Sequence, residues 1–479
     1  MEVEVYIDKL KKIIKREINK RNYENAFVAA KTLAGIYYSY NQIYTDLELE
    51  DDLLFIRDSL LDKKEYATDN NCVLFYDGFG LDLRGWAASY VRAITKLGYK
   101  LIYMCPSNMK GNIPHILGEM DPSNSSVIYL DTNLSYVMKT EEIDSIFKKY
   151  TPGTAFFYTT PYDVCAAVAF SNNSSTTRIQ IDLTDHAYWI GVNAFDYITE
   201  CREMGASLAV YERNIEKDRI VKLDCAPYIN YDKVDDPYPF DIYSEKYVFT
   251  GGALYKTLGD KQLLYYKTVR HILEKFEDIK FLYAGTGDTS EIEKLKNDYP
   301  QRVFHINERS DFYEIIKNCC LYLNSYPMFG GLMMRYAAMA GKIPITLKHG
   351  NDSDGLLINQ ASLGIEFENY DEYINEIDRL ILDETYRHDK EKLLKSSVYD
   401  EDMFARELNR IIIEHKPKSS FNTIERYDTT EFRREYKKRF DRKKLYICIV
   451  SKSNASLIRH FPIEFTMGAL IKMKERILK

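Results

Sequence analysis

The chain has 479 residues, 45% hydrophobic and 29% charged, the make-up of a globular protein too long for one core of ordinary size. Its formal net charge of -7 excludes a basic face that would hold nucleic acid through phosphate contacts, so no nucleic-acid partner is expected. No run approaches the roughly 20 apolar residues of a membrane span, and the charged opening M-E-V-E-V-Y-I-D-K-L-K-K is no signal peptide. With no C-x-x-C pair and no zinc spacing among its eight cysteines, reduced thiols and a cytoplasmic location are expected.

Residues 1–66 read as a helical N-terminal extension. Leu10, Ile13, Ile14 and Ile18 recur at helical spacing, and Ala26, Ala29, Ala30, Leu33 and Ala34 form a second face. A helical cap or an oligomerisation element fits; the oligomeric state itself is left open.

Residues 67–240 read as a first α/β lobe. Strands are expected at Val73–Tyr76, Leu101–Met104, Val127–Leu130, Ala155–Tyr158 and Ile179–Leu183, with a helix from D-G-F-G-L-D-L-R-G-W to Leu97 and others at 141–149, 162–170 and 192–204. Repeating βα units predict a parallel sheet covered on both faces. The Pro-, Asp- and Tyr-rich stretch P-Y-I-N-Y-D-K-V-D-D-P-Y-P-F (227–240) reads as an interdomain linker.

Residues 241–420 repeat the pattern. Y-V-F-T-G-G-A-L, F-L-Y-A-G-T-G-D, V-F-H-I, L-Y-L-N-S and I-P-I-T-L are strands and turns, with a long helix over 260–276. Two Rossmann-like β/α/β lobes predict a central cleft faced by the carboxyl ends of both sheets. In the last segment, 421–479, Leu445–Val450 reads as an edge strand and Phe465–Leu478 as a terminal helix. The basic run from Arg433 to Lys444 reads as a solvated helix face, or as a peripheral patch resting on anionic lipid at the inner face of the membrane.

The segment L-Y-L-N-S-Y-P-M-F-G-G-L-M-M-R-Y-A-A-M-A-G-K-I-P-I-T (321–346) carries the most chemistry. Gly330 and Gly331 open a helix with bare backbone N–H groups, where the helix dipole favours a diphosphate. Arg335, one turn in, could add a fixed charge. The other reading is an ordinary βα turn with close helix–sheet packing. In the first lobe, I-Q-I-D-L-T-D-H (179–186) places Asp185 and His186 at a strand end. His186 could take a hydroxyl proton with its tautomer held by the acid, hydrogen-bond a ligand, or be structural. H-G-N-D-S-D-G-L-L (349–357) offers Asp354 to ligand hydroxyls, or is a polar surface turn. No strand-borne D-x-D occurs, so no metal site is expected.

The 321–346 layout resembles the donor lobe of GT-B glycosyltransferases, in particular the glycosyltransferase family 4, or group 1, pattern P-S-x-x-E-G-F-G…E-A-M-A-x-G-x-P. F-T-G-G-A-L-Y-K (249–256), Y-A-G-T-G-D (283–288), V-F-H-I-N-E (303–308) and S-D-F-Y-E-I-I-K-N-C-C (310–320) follow in the family's order, and the likeness spans roughly 245–385. It implies a metal-independent transferase with no cofactor, using a nucleoside diphosphate sugar, by family prior a UDP-sugar. The likeness puts Gly252 and Lys256 at the diphosphate, and Gly285 with His305, Ile306, Asn307 and Glu308 near the nucleobase. Asp77, Gly78 and Arg84 fall in the acceptor-side loop of the first lobe, and the resemblance offers Asp354, and in one reading His186, to the sugar. A glycan, lipid-linked or protein acceptor follows, as in bacterial surface-polysaccharide or protein glycosylation. The family's two glutamates fall on Met328 and Tyr336 here, so ribose recognition must differ and the stereochemistry is open. The competing readings are a sugar-nucleotide epimerase on the same scaffold and a non-catalytic, acceptor-binding partner.

Overall fold

The strand segments are short, nearly continuous apolar runs such as C-V-L-F-Y at 72–76, the composition of strands buried on both faces of a parallel sheet. A computed structural model of the chain describes residues 3–63, 65–224, 226–230, 234, 236–349, 355–414, 421, 423–452 and 455–477. It divides into two compact units, Met1–Leu223 with Ala405–Lys479, and Asp224–Phe404.

The first unit opens with helices α1 (Val3–Asn19), α2 (Tyr23–Tyr40) and α3 (Leu47–Leu60). The side chains of Asn22 and Asp46 accept from Asn25 N–H and Leu49 N–H and so cap α2 and α3. Next come β1 (Asp69–Asp77), α4 (Ala87–Lys96), β2 (Lys100–Pro106), α5 (Pro114–Gly118), β3 (Ser125–Leu130), α6 (Tyr136–Tyr150) and β4 (Pro152–Tyr158). After them follow α7 (Val164–Asn172), β5 (Thr177–Ile181), β6 (Tyr197–Glu200), α8 (Glu203–Tyr211) and β7 (Ile220–Lys222). The strands form a seven-stranded parallel sheet in the order β3-β2-β1-β4-β5-β6-β7. Helices α1 to α3 share one apolar core with the sheet and with α6 and α7, Phe27, Leu33 and Ile56 lying among Leu74, Phe157 and Phe170.

The second unit contains β8 (Tyr247–Gly251), α9 (Leu264–Lys275), β9 (Lys280–Ala284), α10 (Ser290–Asp298), β10 (Val303–Ile306), α11 (Phe312–Asn318) and β11 (Leu321–Leu323). It continues through α12 (Gly331–Met339), β12 (Pro344–Leu347), β13 (Glu366–Phe367), α13 (Tyr370–Leu382) and α14 (Glu384–Leu394). Its parallel six-stranded sheet runs β10-β9-β8-β11-β12-β13. Helix α15 (Glu401–Glu414) then leads to α16 (Thr430–Arg439), α17 (Arg442–Lys452) and α18 (Pro462–Ile477). Among the described residues no helix is long and apolar enough to cross a membrane.

Three expectations are corrected. The helix expected over 192–204 is β6 followed by α8, because Y-I-T-E pairs with β5. Residues 78–86 form a loop, and the helix starts only at Ala87. The edge strand expected at Leu445–Val450 is helix α17, whose Leu445 and Ile449, four apart, are buried against the N-terminal helices. In the basic run, Arg434 and Lys438 pair with Glu431 and Glu435 three residues earlier, and Arg433 pairs with Glu212.

Candidate functional site

In the second unit, backbone-to-backbone approach sets the local geometry. Gly252, just past β8, has φ +130° and donates its N–H to the Ala284 carbonyl at 2.9 Å. A Cβ on Gly285 would sit 1.9 Å from the Gly252 carbonyl oxygen, so only glycine lets the two turns touch. Gly285 N–H donates to the Ile306 carbonyl at 3.0 Å, and His305 Nε2 donates to the Gly285 carbonyl at 2.8 Å. The ends of β8, β9 and β10 are thereby tied together. Ile306 is half-buried, while Asn307 and Glu308 stand exposed on the loop beyond it.

After the first glycine turn the chain makes a tight turn over Leu254–Thr257. Its Lys256 carbonyl accepts from Met328 N–H at 3.2 Å, and its Lys256 Nζ reaches the Phe329 carbonyl at 3.3 Å. Lys256 therefore lies at the loop that opens α12. It is half-buried, burial lowers its pKa, and among the described residues no carboxylate pairs with it. A desolvated cation with spare donors beside a helix start is an anion-binding arrangement.

The α12 entry differs from the sequence expectation at Gly330. Its N–H donates to Asn324 Oδ1 at 2.9 Å, and the same oxygen accepts from Ser325 N–H at 3.0 Å. That bond removes Gly330 from the amides expected to meet a diphosphate and leaves Gly331, the first residue of α12, at the helix end. Arg335 is 3% exposed, with its guanidinium 3.9 Å from Asp224, so its charge faces the lobe interior. Tyr336 is also buried: its hydroxyl donates to the Tyr228 carbonyl at 2.5 Å and its ring meets Phe312 edge-on. It holds the lobe's entry segment onto α12. Asp354 lies outside the described residues.

In the first unit, Asp185 is buried and its two oxygens take Arg202 Nε at 2.5 Å and Arg202 Nη2 at 2.8 Å. His186 Nδ1 lies 3.3 Å from Asp185 Oδ1 and its ring is one-third exposed. Burial alone would raise the Asp185 pKa, but Arg202 and His186 hold it well below the usual carboxylate range. Two further acids stand behind it. Asp182 accepts from Trp189 Nε1 at 3.1 Å and burial pushes its pKa up to about 6. Glu200, 1% exposed, is raised well above its ordinary value by burial and by Asp182 and Asp185, which favours its neutral form.

The N-terminal helices hold this loop. Asn41 caps α2 in the left-handed region, donates from Nδ2 to the His186 carbonyl at 3.0 Å and accepts Tyr188 N–H at 3.0 Å. Glu50 accepts Gly191 N–H at 2.7 Å, and burial pushes its pKa up to about 7. Asn41, Glu50, Arg202 and Asn324 were not among the residues expected from the sequence. Only Asn324, a polar residue closing the apolar run L-Y-L, carried a signal.

The loop after β1 is built on Asp77. Its Oδ1 accepts Phe79 N–H and Gly80 N–H at 2.9 and 2.8 Å, and its Oδ2 accepts the Tyr103 hydroxyl at 2.6 Å. Asp77 is fully buried and shapes the loop. Gly78 and the exposed Arg84 sit on it.

No family model and no curated protein matches this sequence. Solved structures do match. A Rickettsia africae glycosyltransferase aligns over 73% of this chain and 99% of its own, at 12% identity and a TM-score of 0.53. A UDP-N-acetylglucosamine 2-epimerase aligns over 74% and 100%, at 13% identity and 0.52. The Anabaena HepE protein, solved with UDP and glucose, aligns over 72% and 99%, at 12% identity and 0.50.

The chain has the two-lobed GT-B fold. Its second GT-B lobe carries the glycine turns, Lys256 and the α12 start at the ends of β8, β9 and β11. Its first lobe carries the Asp185–His186 pair after β5, buttressed by α2 and α3, which precede β1.

Proposed function

We propose that this chain is a glycosyltransferase that takes its sugar from a nucleoside diphosphate donor, UDP by first preference, and passes it to a glycan, lipid-linked or protein acceptor. The carrying observation is Lys256: half-buried, unpaired with any carboxylate among the described residues, and bonded to the Phe329 carbonyl at the start of α12. In this reading Lys256 and the first amides of α12 hold the diphosphate. They stabilise the charge that grows on the leaving phosphate oxygen as the glycosidic bond breaks. His186, oriented by Asp185 on one side and by Asn41 through its carbonyl, takes the acceptor hydroxyl proton or contacts the sugar. The solved HepE structure, with UDP and glucose bound to the same fold, supports the choice of donor.

An epimerase reading is supported by the equal likeness to a UDP-N-acetylglucosamine 2-epimerase and by the three acids near His186. Their burial and the Arg202 pairing favour a positioning role for them, which leaves the transferase first. Titration calorimetry of the full chain with UDP, GDP and their sugar conjugates tests the donor site. Micromolar binding of one nucleotide, lost in Lys256→Ala, is the expected result. No binding by the wild type overturns it and puts the non-catalytic partner first. Conversion of a UDP-sugar to its 2-epimer without acceptor selects the epimerase.

A further inference from the structure

The first lobe holds a cavity of about 320 Å³, at the small end of ligand pockets, which run from about 300 to 1,000 Å³. It lies at the carboxyl ends of four strands. Gly78 follows β1, Pro106 ends β2, Leu130 ends β3 and Thr160 follows β4. The strand order β3-β2-β1-β4-β5 reverses between β1 and β4, and open parallel sheets bind ligands at such a switch point.

One wall of the cavity comes from outside the sheet and its crossover helices. Lys31, the one charged residue between Asn25 and Tyr40, comes from helix α2 of the N-terminal extension and lines the cavity. Its Nζ donates to the Tyr136 hydroxyl at 3.2 Å and lies 5.1 Å from that ring's centre. Lys139 Nζ lies 5.4 Å from the same ring and donates to the Thr132 carbonyl at 2.8 Å. Among the described residues neither lysine has a carboxylate within ion-pair distance, and an ammonium has three donors. Each therefore has donors to spare. Two carboxylates share the lining: Asp131, and Asp163, which accepts Ala166 N–H at 3.2 Å on one oxygen and the Tyr76 hydroxyl on the other and whose charge also acts on Lys31. Tyr162 and Tyr136 add aromatic walls that are apolar in body and polar at the tip.

We infer that this pocket binds one sugar unit carrying an anionic group, a carboxylate or a phosphate, and that Lys31 of the N-terminal extension selects for the charge. The shape and the tyrosines suit a single pyranose, and the surplus ammonium donors suit an anion. That the bound sugar belongs to the acceptor rests on the transferase reading; the binding itself does not. The extension then has a functional reason, since without α2 the pocket loses one of its two cations.

The test is ligand-observed saturation-transfer NMR on the full chain without nucleotide, using methyl β-D-glucuronide, glucose 6-phosphate and methyl β-D-glucoside. The expected result is binding of the glucuronide or the sugar phosphate at least tenfold tighter than of the neutral glucoside. The ratio of the two anionic sugars identifies the anion. Lys31→Met and Lys139→Met each reduce acidic-sugar binding about tenfold at an unchanged melting temperature. Having two variants guards against one that fails to fold. Equal binding of neutral and acidic sugars, no binding by the wild type, or full binding by a folded Lys31→Met overturns the inference. UDP binding, measured separately, keeps the two ideas apart. UDP without acidic sugar sinks the pocket alone, and acidic sugar without UDP sinks the donor reading alone.

Discussion

Replacing Arg202 by Met removes the two hydrogen bonds, 2.5 and 2.8 Å, that neutralise Asp185 inside the first lobe. Asp185 is 5% exposed and cannot recover water in exchange. Breaking a buried pair by deleting one partner costs about 3–5 kcal/mol, because a charge is left uncompensated. At about 2–4 °C per kcal/mol for a unit of this size class, the melting temperature should fall by roughly 6–20 °C. The pH dependence is the sharper signature. In the wild type the folded pKa of Asp185 is depressed, so its stabilisation is present above the unfolded value near ~4 and is lost only as pH falls through the low folded value. In the variant the burial that raises it remains, the Arg202 charge is gone and only His186 is left to lower it. The folded pKa then moves above ~4, and stability is lost as pH rises through it. The wild-type advantage should widen from pH 4 to pH 7 in urea melts of the full chain. A gap that is equal at both pH values, or smaller than about 1 kcal/mol, refutes the reasoning.

Burial and the neighbouring acids raise Glu200 above its ordinary value, so the folded state favours its neutral form more than the unfolded chain does. Glu200→Gln should match the wild type at pH 4 and exceed its stability at pH 7, on the order of 1 kcal/mol or more; a less stable variant at pH 7 contradicts this. Gly285→Ala drives a Cβ into the Gly252 carbonyl oxygen at 1.9 Å and should lower nucleotide affinity at least tenfold. Calorimetry showing wild-type affinity would count against the glycine-turn site. Tyr336→Phe loses the bond to the Tyr228 carbonyl. A cost of about 1–2 kcal/mol in stability with nucleotide affinity within twofold is expected, and the reverse pattern would restore Tyr336 as a nucleotide contact.

The strand–helix alternation was readable because parallel strands buried on both faces must be short apolar runs separated by amphipathic helices. The segments 72–76, 101–104 and 321–323 are strands for that reason. Periodicity failed where the run was too short to hold a period. L-Y-I-C-I-V in α17 is β-branched and apolar, and only its packing against α2 and α18 makes it a helix. The Y-I-T-E strand β6 fell inside an expected helix because its partner, β5, supplies the hydrogen bonds.

The sequence by itself determined the two βα series, the glycine pairs at their turns, and the position of Lys256 and His186 at strand ends. These are local consequences of side-chain period and glycine conformation. Tertiary structure alone decided which groups are free to act. The Gly330 amide is taken by Asn324, six residues earlier, and Asp185 by Arg202, seventeen later. The His186 loop is held by Asn41, and Lys31 stands in a first-lobe cavity. Donors and charges are satisfied by whatever the fold brings within about 3 Å, and no spacing along the chain encodes that distance.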